Sequence, residues 1–223
     1  MCGRYTLTSP RDEIVEYFET DTAPELAARY NLAPSQQSLI VTPAAEGARS
    51  ARRAHWGFTL SRGGKSRLAI NARCESADSR PAFRESFASR RCLVPANGFF
   101  EWARIGRSRQ PYYFTSRESS LVAFAGLWSE DDAGLLTYVI LTTAANDVVG
   151  RVHDRMPVFL RRDHHGSWLE RGSLPEISAQ VIFRPWPAAD MVSVAVGMRV
   201  NDVSCDESDC IKPLVGPVDL FTD

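Results

Sequence analysis

A cysteine stands second in the chain, directly after Met1. A small residue at that position leaves the starter methionine open to removal, and the chain then begins at Cys2. A terminal cysteine carries an α-amine and a thiol on adjacent carbons, which no internal cysteine offers. The α-amine has a pKa of about 7.7–8 against about 10.4 for lysine, so roughly a tenth of it is neutral at pH 7. Such an amine attacks an aldehyde to give an imine, and the thiol can then close on the imine carbon as a five-membered thiazolidine. Taken alone the position is a weak signal, because a small residue with no role accounts for it equally well.

Other side chains stand where proton transfer or nucleic-acid contact would need them. Glu101 lies inside the aromatic run Gly98-Phe99-Phe100-Glu101-Trp102. An acid in an apolar setting has a raised pKa and can move protons near neutrality. His153 lies in Val152-His153-Asp154-Arg155-Met156-Pro157, just before an apolar strand. Asn71 and Arg73 end the run Leu68-Ala69-Ile70, which reads as a buried strand opening towards a cleft. Trp56 could stack on a base, worth roughly 1–3 kcal/mol. Each has a plain structural alternative: an edge-strand acid, a loop histidine, a turn asparagine, a core tryptophan. His164 and His165, at the charged start of a helix, read as solvated. Metal chemistry has little support, since there is no CxxC and Cys205 and Cys210 have no matching second pair. Neither a phosphate loop nor a dinucleotide fingerprint is present, so no cofactor is expected.

The 223 residues carry a formal net charge of -1, with 44% hydrophobic and 24% charged residues. Those values exclude a disordered or collagen-like chain. The near-neutral total hides an asymmetry: residues 49–109 hold 14 basic and 4 acidic side chains. The segments on either side are both acidic. A stretch that basic attracts a polyanion even on a neutral molecule, unless its arginines are paired with acids elsewhere in the fold. No apolar run approaches the ~18–20 residues of a membrane span, and the N-terminus lacks a signal-peptide core. Five cysteines without framework spacing fit a reducing compartment. The sequence therefore predicts a cytoplasmic protein that does not meet a membrane.

These residues need elements to position them. Ser9-Pro10-Arg11-Asp12 predicts a helix start, with Ile14, Tyr17 and Phe18 at helical spacing. Further helices are expected over 79–89 and from Asp163 to Arg171, closed by Gly172. Strands are expected at 38–42, 53–59, 67–72, 91–95, 99–103, 111–115, 121–128, 136–142, 156–160, 180–184 and 192–196. Asn97-Gly98 between apolar runs signals a hairpin turn. Many strands without regular alternation with helices predict one α+β domain over 1–223, its core about 2–213 and its tail acidic. The sheet would be curled, antiparallel or mixed and barrel-like, with helices at the periphery.

Five motifs in order carry a resemblance. They are Met1-Cys2-Gly3-Arg4-Tyr5, Tyr30-Asn31-Leu32-Ala33-Pro34, Ile70-Asn71-Ala72-Arg73-Cys74-Glu75, the run from Arg91 to Trp102, and His153-Asp154-Arg155-Met156-Pro157. Together they resemble the SRAP family, the SOS-response-associated peptidases that process abasic sites in DNA, over Cys2 to about Pro213. The resemblance implies a monomer that binds single-stranded DNA, especially at junctions with duplex, and cross-links to the abasic aldehyde through Cys2. It implies that Asn71 orients the Cys2 amine or thiol, that Glu101 shuttles protons, and that His153 assists ring opening and reversal. It further implies that Arg4 and Arg73 clamp phosphates and that Pro34, Trp56 and Thr142 line the DNA groove. Abasic-site lyase activity, self-removal of Met1 and association with the nucleoid on damage are compatible with it, and removal of Met1 by an aminopeptidase is the alternative. Two other readings stay open: a thiol peptidase built from Cys2, Glu101 and His153, and a non-covalent single-strand binding module. The chain departs from the family pattern at Thr59-Leu60-Ser61-Arg62, where a proline and a second tryptophan are usual, and at Cys74, where a smaller residue is usual.

Overall fold

A computed structural model of the chain describes residues 2–131 and 133–214. The chain opens with β1 (Arg4–Leu7), α1 (Arg11–Phe18), β2 (Arg29–Leu32), β3 (Gln37–Pro43) and β4 (Arg49–Trp56). Then come β5 (Phe58–Arg62), β6 (Lys65–Ala69), β7 (Asn71–Arg73), α2 (Arg84–Ser89), β8 (Arg91–Ala96) and β9 (Gly98–Ile105). The second half holds β10 (Ser108–Ser116), β11 (Val122–Glu130), β12 (Leu136–Ala144), α3 (Asp147–Gly150), β13 (Arg155–Pro157) and β14 (Phe159–Leu160). It ends with α4 (His165–Leu169), α5 (Glu176–Ile182) and β15 (Met191–Ala195).

Two sheets share the core. One runs β15-β10-β9-β1-β2. The other runs β13-β12-β4-β3-β8-β11-β14, and a further β11–β12 pairing curls it back on itself. The result is a mixed, strand-rich α+β fold, as the sequence predicts. Closing a sheet removes the exposed edges that would otherwise invite pairing with another chain. Between the sheets lie aromatic side chains: Phe99 stacks on Phe114 at 5.1 Å and meets Phe124 edge-on at 6.3 Å. Tyr5 and Tyr138 share a buried hydroxyl contact of 2.6 Å.

One feature of the second sheet positions the site. Strand β12 is flanked in parallel first by the end of β4, with Tyr138 opposite Trp56, and then by β7, with Thr142 opposite Arg73. The chain between β4 and β7 leaves the sheet as the β5–β6 hairpin. Gly57 makes the exit. Its φ is 125°, and a Cβ there would meet the Leu68 side chain at 2.6 Å. A side chain at this point would strain the backbone and collide. The expected single strands over 53–59 and 67–72 are therefore each broken, at Gly57 and Ile70.

Three other expectations fail for identifiable reasons. Asn97-Gly98 is not a hairpin, because β8 and β9 belong to different sheets. Asn97 instead ties the crossing together, its Oδ1 accepting from the amides of Thr8 and Ser9 at 2.6 and 3.2 Å. Gly98 is needed for packing, since a Cβ would fall 2.5 Å from the Phe114 carbonyl oxygen. The predicted strand 180–184 lies mostly in α5, where Pro175 precedes a helix whose Ile182 is buried. His165 is not solvated: it is 1% exposed and stacks on Phe18, ring centroids 5.7 Å apart.

Candidate functional site

The site forms where the two sheets meet. β1 pairs with β9 so that Arg4 faces Phe100, which brings the residues just before β1 alongside Glu101. From the other sheet, Asn71 opens β7 and its Nδ2 donates to the Cys2 carbonyl at 2.8 Å. Cys2 is fully buried, and its sulfur lies 3.6 Å from the Arg4 carbonyl oxygen. Cys2, Asn71, Glu101 and His153 thus converge from four distant parts of the chain.

Their electrostatics are coupled. Burial pushes the Cys2 thiol well above its ordinary pKa, and the Glu101 charge adds to that. Burial likewise raises Glu101, which is 4% exposed, while the charge of His153 pulls it back down. A neutral thiol beside a carboxyl that titrates above its usual range suits proton exchange rather than thiolate attack. His153 Nδ1 lies 3.0 Å from the Arg155 amide N–H and 2.9 Å from Asp154 Oδ1. The first contact needs a bare nitrogen and the second an N–H, so the two are alternatives at Nδ1.

Asn71 differs from its expected part in one respect. Its amide NH2 is spent on the Cys2 carbonyl, and its buried Oδ1 has no hydrogen-bond partner among the described residues. That leaves a bare acceptor on a side chain already held against Cys2.

Beside Asn71 runs an open groove. Its inner section, about 310 Å³, is lined by Asn71, Arg67, Arg73, Arg80 and Phe83. A wider section of about 880 Å³ continues along the β5–β6 hairpin, sharing Arg67, Arg80 and Phe83. Arg67, Arg73 and Arg80 are exposed. Among the described residues no carboxylate lies within ion-pair distance of them. Arg4 does not line this groove. Its Nη1 donates to Asn31 Oδ1 at 3.0 Å and to the Val200 carbonyl at 2.7 Å. It lines a shallow recess with Trp102 and Arg109.

Two of the expected groove residues are buried, and a third, Pro34, lies in a turn. Trp56 is completely buried, its indole N–H donating to the Ile70 carbonyl at 2.9 Å and its ring edge-on to Tyr5. No face is open to a base, so its part here is to hold the break between β6 and β7. Thr142 is also completely buried; its hydroxyl donates to the Ala72 carbonyl at 3.4 Å, and its own carbonyl accepts from the Cys74 amide at 3.0 Å. It supports β7 from behind. Pro34 is half-buried in the turn after β2, where the amide of Ser35 bonds to the Trp56 carbonyl.

Arg155 and Glu75 received no role from their spacing. Arg155 binds both Glu75 carboxylate oxygens, at 2.6 and 2.8 Å, and reaches the Thr142 carbonyl at 2.5 Å. The Arg155 guanidinium holds the Glu75 carboxyl below its usual range. This fork ties the His153 loop to the turn after β7. An arginine leading the apolar strand Met156-Pro157-Val158-Phe159 was the available signal. Among the described residues no group of three His, Cys, Asp or Glu side chains could hold a metal ion. No helix among them is long and apolar enough to cross a membrane.

Comparison with known proteins places these features in a wider set. Abasic site processing protein YoaM of Bacillus subtilis is 35% identical over 212 residues, covering 90% of this chain and 93% of the relative. Abasic site processing protein YedK of Escherichia coli is 28% identical, covering 96% and 100%. A crystal structure of a Bacteroides thetaiotaomicron protein superposes with a TM-score of 0.80 over 96% of this chain and 100% of its own, at 19% identity, a likeness of fold. The family model described as SOS response associated peptidase (SRAP) matches residues 1–203. With its curled pair of sheets and the cluster at their junction, the chain belongs to the SRAP family.

Proposed function

We propose that this protein captures abasic sites in single-stranded DNA, including junctions with duplex, as a covalent thiazolidine on Cys2. The observation that carries the reading is the convergence of Cys2, Asn71, Glu101 and His153 beside an arginine-lined groove. The relatives named abasic site processing proteins support it. Removal of Met1 comes first and frees the Cys2 amine. That amine attacks the ring-opened sugar aldehyde, and Glu101, protonated to a higher pH than an ordinary carboxyl, gives a proton to the departing hydroxyl. One water leaves and an imine forms. The thiol S–H then adds across C=N, closing the ring and keeping the strand whole. His153 assists sugar-ring opening and the return path. The arginines Arg67, Arg73 and Arg80 take phosphates, with Arg4 and Pro34 as further contacts. No cofactor is needed for these steps.

The raised Cys2 thiol pKa weighs against a peptidase reading that starts from a thiolate. Incubation with an abasic oligonucleotide followed by a denaturing gel tests the proposal. Wild type is expected to give a heat-stable adduct. Cys2→Ala keeps an amine and loses the thiol, so it should lose the stable adduct and leave more nicked DNA by β-elimination. An equal adduct from Cys2→Ala, or none from wild type with Met1 removed, overturns it. Intact mass of wild type and Glu101→Gln from one host separates self-removal of Met1 from removal by an aminopeptidase.

A further inference from the structure

After β15 the chain wraps back over β2 and Arg4. Asp206 Oδ1 accepts from the amides of Tyr30 and Asn31 at 2.5 and 2.8 Å, and its other oxygen pairs with Arg29. Asn31 Nδ2 donates to the carbonyls of Val200, Asp202 and Cys205 at 3.1, 3.0 and 2.8 Å. This strap holds two free cysteines, with Cys205 Sγ 3.5 Å from Cys210 Sγ. The backbone on both sides is anchored: Cys205 N donates to the Asp202 carbonyl at 3.1 Å and Cys210 N to the Glu207 carbonyl at 2.9 Å. The pair lies beyond residues 1–203 matched by the family model, and the abasic-site chemistry makes no use of it.

The two sulfurs are not equivalent. Cys205 is half-buried and stands beside the exposed guanidinium of Arg199. Cys210 is fully buried, and burial holds its thiol above the ordinary value. The chain's other thiols, Cys2, Cys74 and Cys92, are all buried, and burial raises each of them, Cys74 to about 11. Oxidation follows access, and Cys205 is the cysteine that is not buried, so the strap is where an oxidant meets sulfur first.

We propose that Cys205 and Cys210 form a reversible redox site, in which a peroxide oxidises Cys205 and Cys210 resolves it as a disulfide. The Cys205 thiolate attacks the peroxide O–O bond, becoming a sulfenic acid and releasing hydroxide. The Cys210 thiol displaces that oxygen, the S–S bond forms, and water leaves. Two thiols and one hydrogen peroxide give one disulfide and two waters. A disulfide needs closer approach of sulfurs already in contact, so the strap closes where it lies. The bond locks the segment that supplies Asn31 and Arg4 with carbonyl partners, and a dithiol reductant opens it.

Treatment of the whole folded protein with substoichiometric hydrogen peroxide, then denaturation in a maleimide and peptide mass analysis, tests this. The segment carrying both cysteines is expected to be lighter by two hydrogens and to take no maleimide. After dithiothreitol it should take two. In Cys210→Ser, Cys205 should stop as a sulfenic acid and be labelled by dimedone, whereas Cys210 in Cys205→Ser should stay unlabelled. If both strap cysteines still alkylate fully after a buried cysteine has been oxidised, the proposal fails. It fails too if Cys205→Ser leaves Cys210 as readily labelled. The wild-type mapping stands by itself should a variant not fold. The readout does not involve DNA, so it is independent of the reading of Cys2.

Discussion

The corner around Arg91 and the groove of Arg67, Arg73 and Arg80 are drawn from the same basic stretch, yet they use the guanidinium in opposite ways. Arg91 is 3% exposed. Its Nε donates to the Trp168 carbonyl at 2.6 Å, and Nη1 donates to the carbonyls of Phe87 and Gly172 at 2.7 and 2.9 Å. Nη2 donates to the carbonyl of Glu170. Its plane also lies against Trp168 and Phe87. This arginine closes the C-terminal ends of α2 and α4, whose last carbonyls have no partner within the helix. Among the described residues the groove arginines have no such obligations. Charge counted along a sequence therefore overstates the cation available to a ligand, because part of it is already bonded to backbone.

Three measurements would break or sharpen that contrast. The largest effect is expected at Arg91. Arg91→Met strands several buried carbonyls and should cost about 3–5 kcal/mol in urea unfolding, with DNA affinity of the folded fraction unchanged. A loss under about 1 kcal/mol would show that water replaces the guanidinium freely. Next is His165, on the same α4. Burial, then the Arg49 charge, lowers its pKa from 6.5 to about 4. Below pH 6.5 the unfolded chain binds the proton and the folded chain does not. Stability is therefore complete above that pH and falls as the pH drops towards 4, by at most roughly 3 kcal/mol. His165→Phe should flatten this part of the stability curve measured by thermal melts; an unchanged curve would place the acid sensitivity elsewhere. The smallest effect on the fold belongs to the groove. Replacing Arg67, Arg73 and Arg80 together by Ala should move stability by less than about 0.5 kcal/mol. The same variant should lower the salt dependence of single-strand binding by about two in log–log slope. A slope equal to wild type would remove these residues from the phosphate path.

What could be read from sequence follows the same division. Cys2, Asn71, Glu101 and His153 were nameable because each sits in a short distinctive run, and the structure brings them together. Trp56 and Thr142 were named for a groove and lie in the core behind it. A residue type and a motif mark a strand's neighbourhood, whereas the face a side chain takes depends on register, and one residue of slip reverses it. The breaks at Gly57 and Ile70 set that register, and they depend on β12, which comes some seventy residues later. Asn97-Gly98 shows the same limit: the dipeptide permits a turn but cannot say which sheet the next strand joins. Pairing of Arg155 with Glu75 spans 80 residues of sequence, and nothing local announces it.

The two-stage flanking of β12 has a mechanical consequence. β4 and β7 are each registered independently on that strand. Gly57 and Ile70 still bond to it, at the Tyr138 carbonyl and the Ile140 amide, but the hairpin between them, residues 58–69, pairs only with itself. Its length and decoration can change while Asn71 keeps its grip on Cys2. One wall of the groove is thus an exchangeable part on a fixed chassis, and grafting a longer or differently charged hairpin there would reshape that wall without touching Cys2 or Asn71.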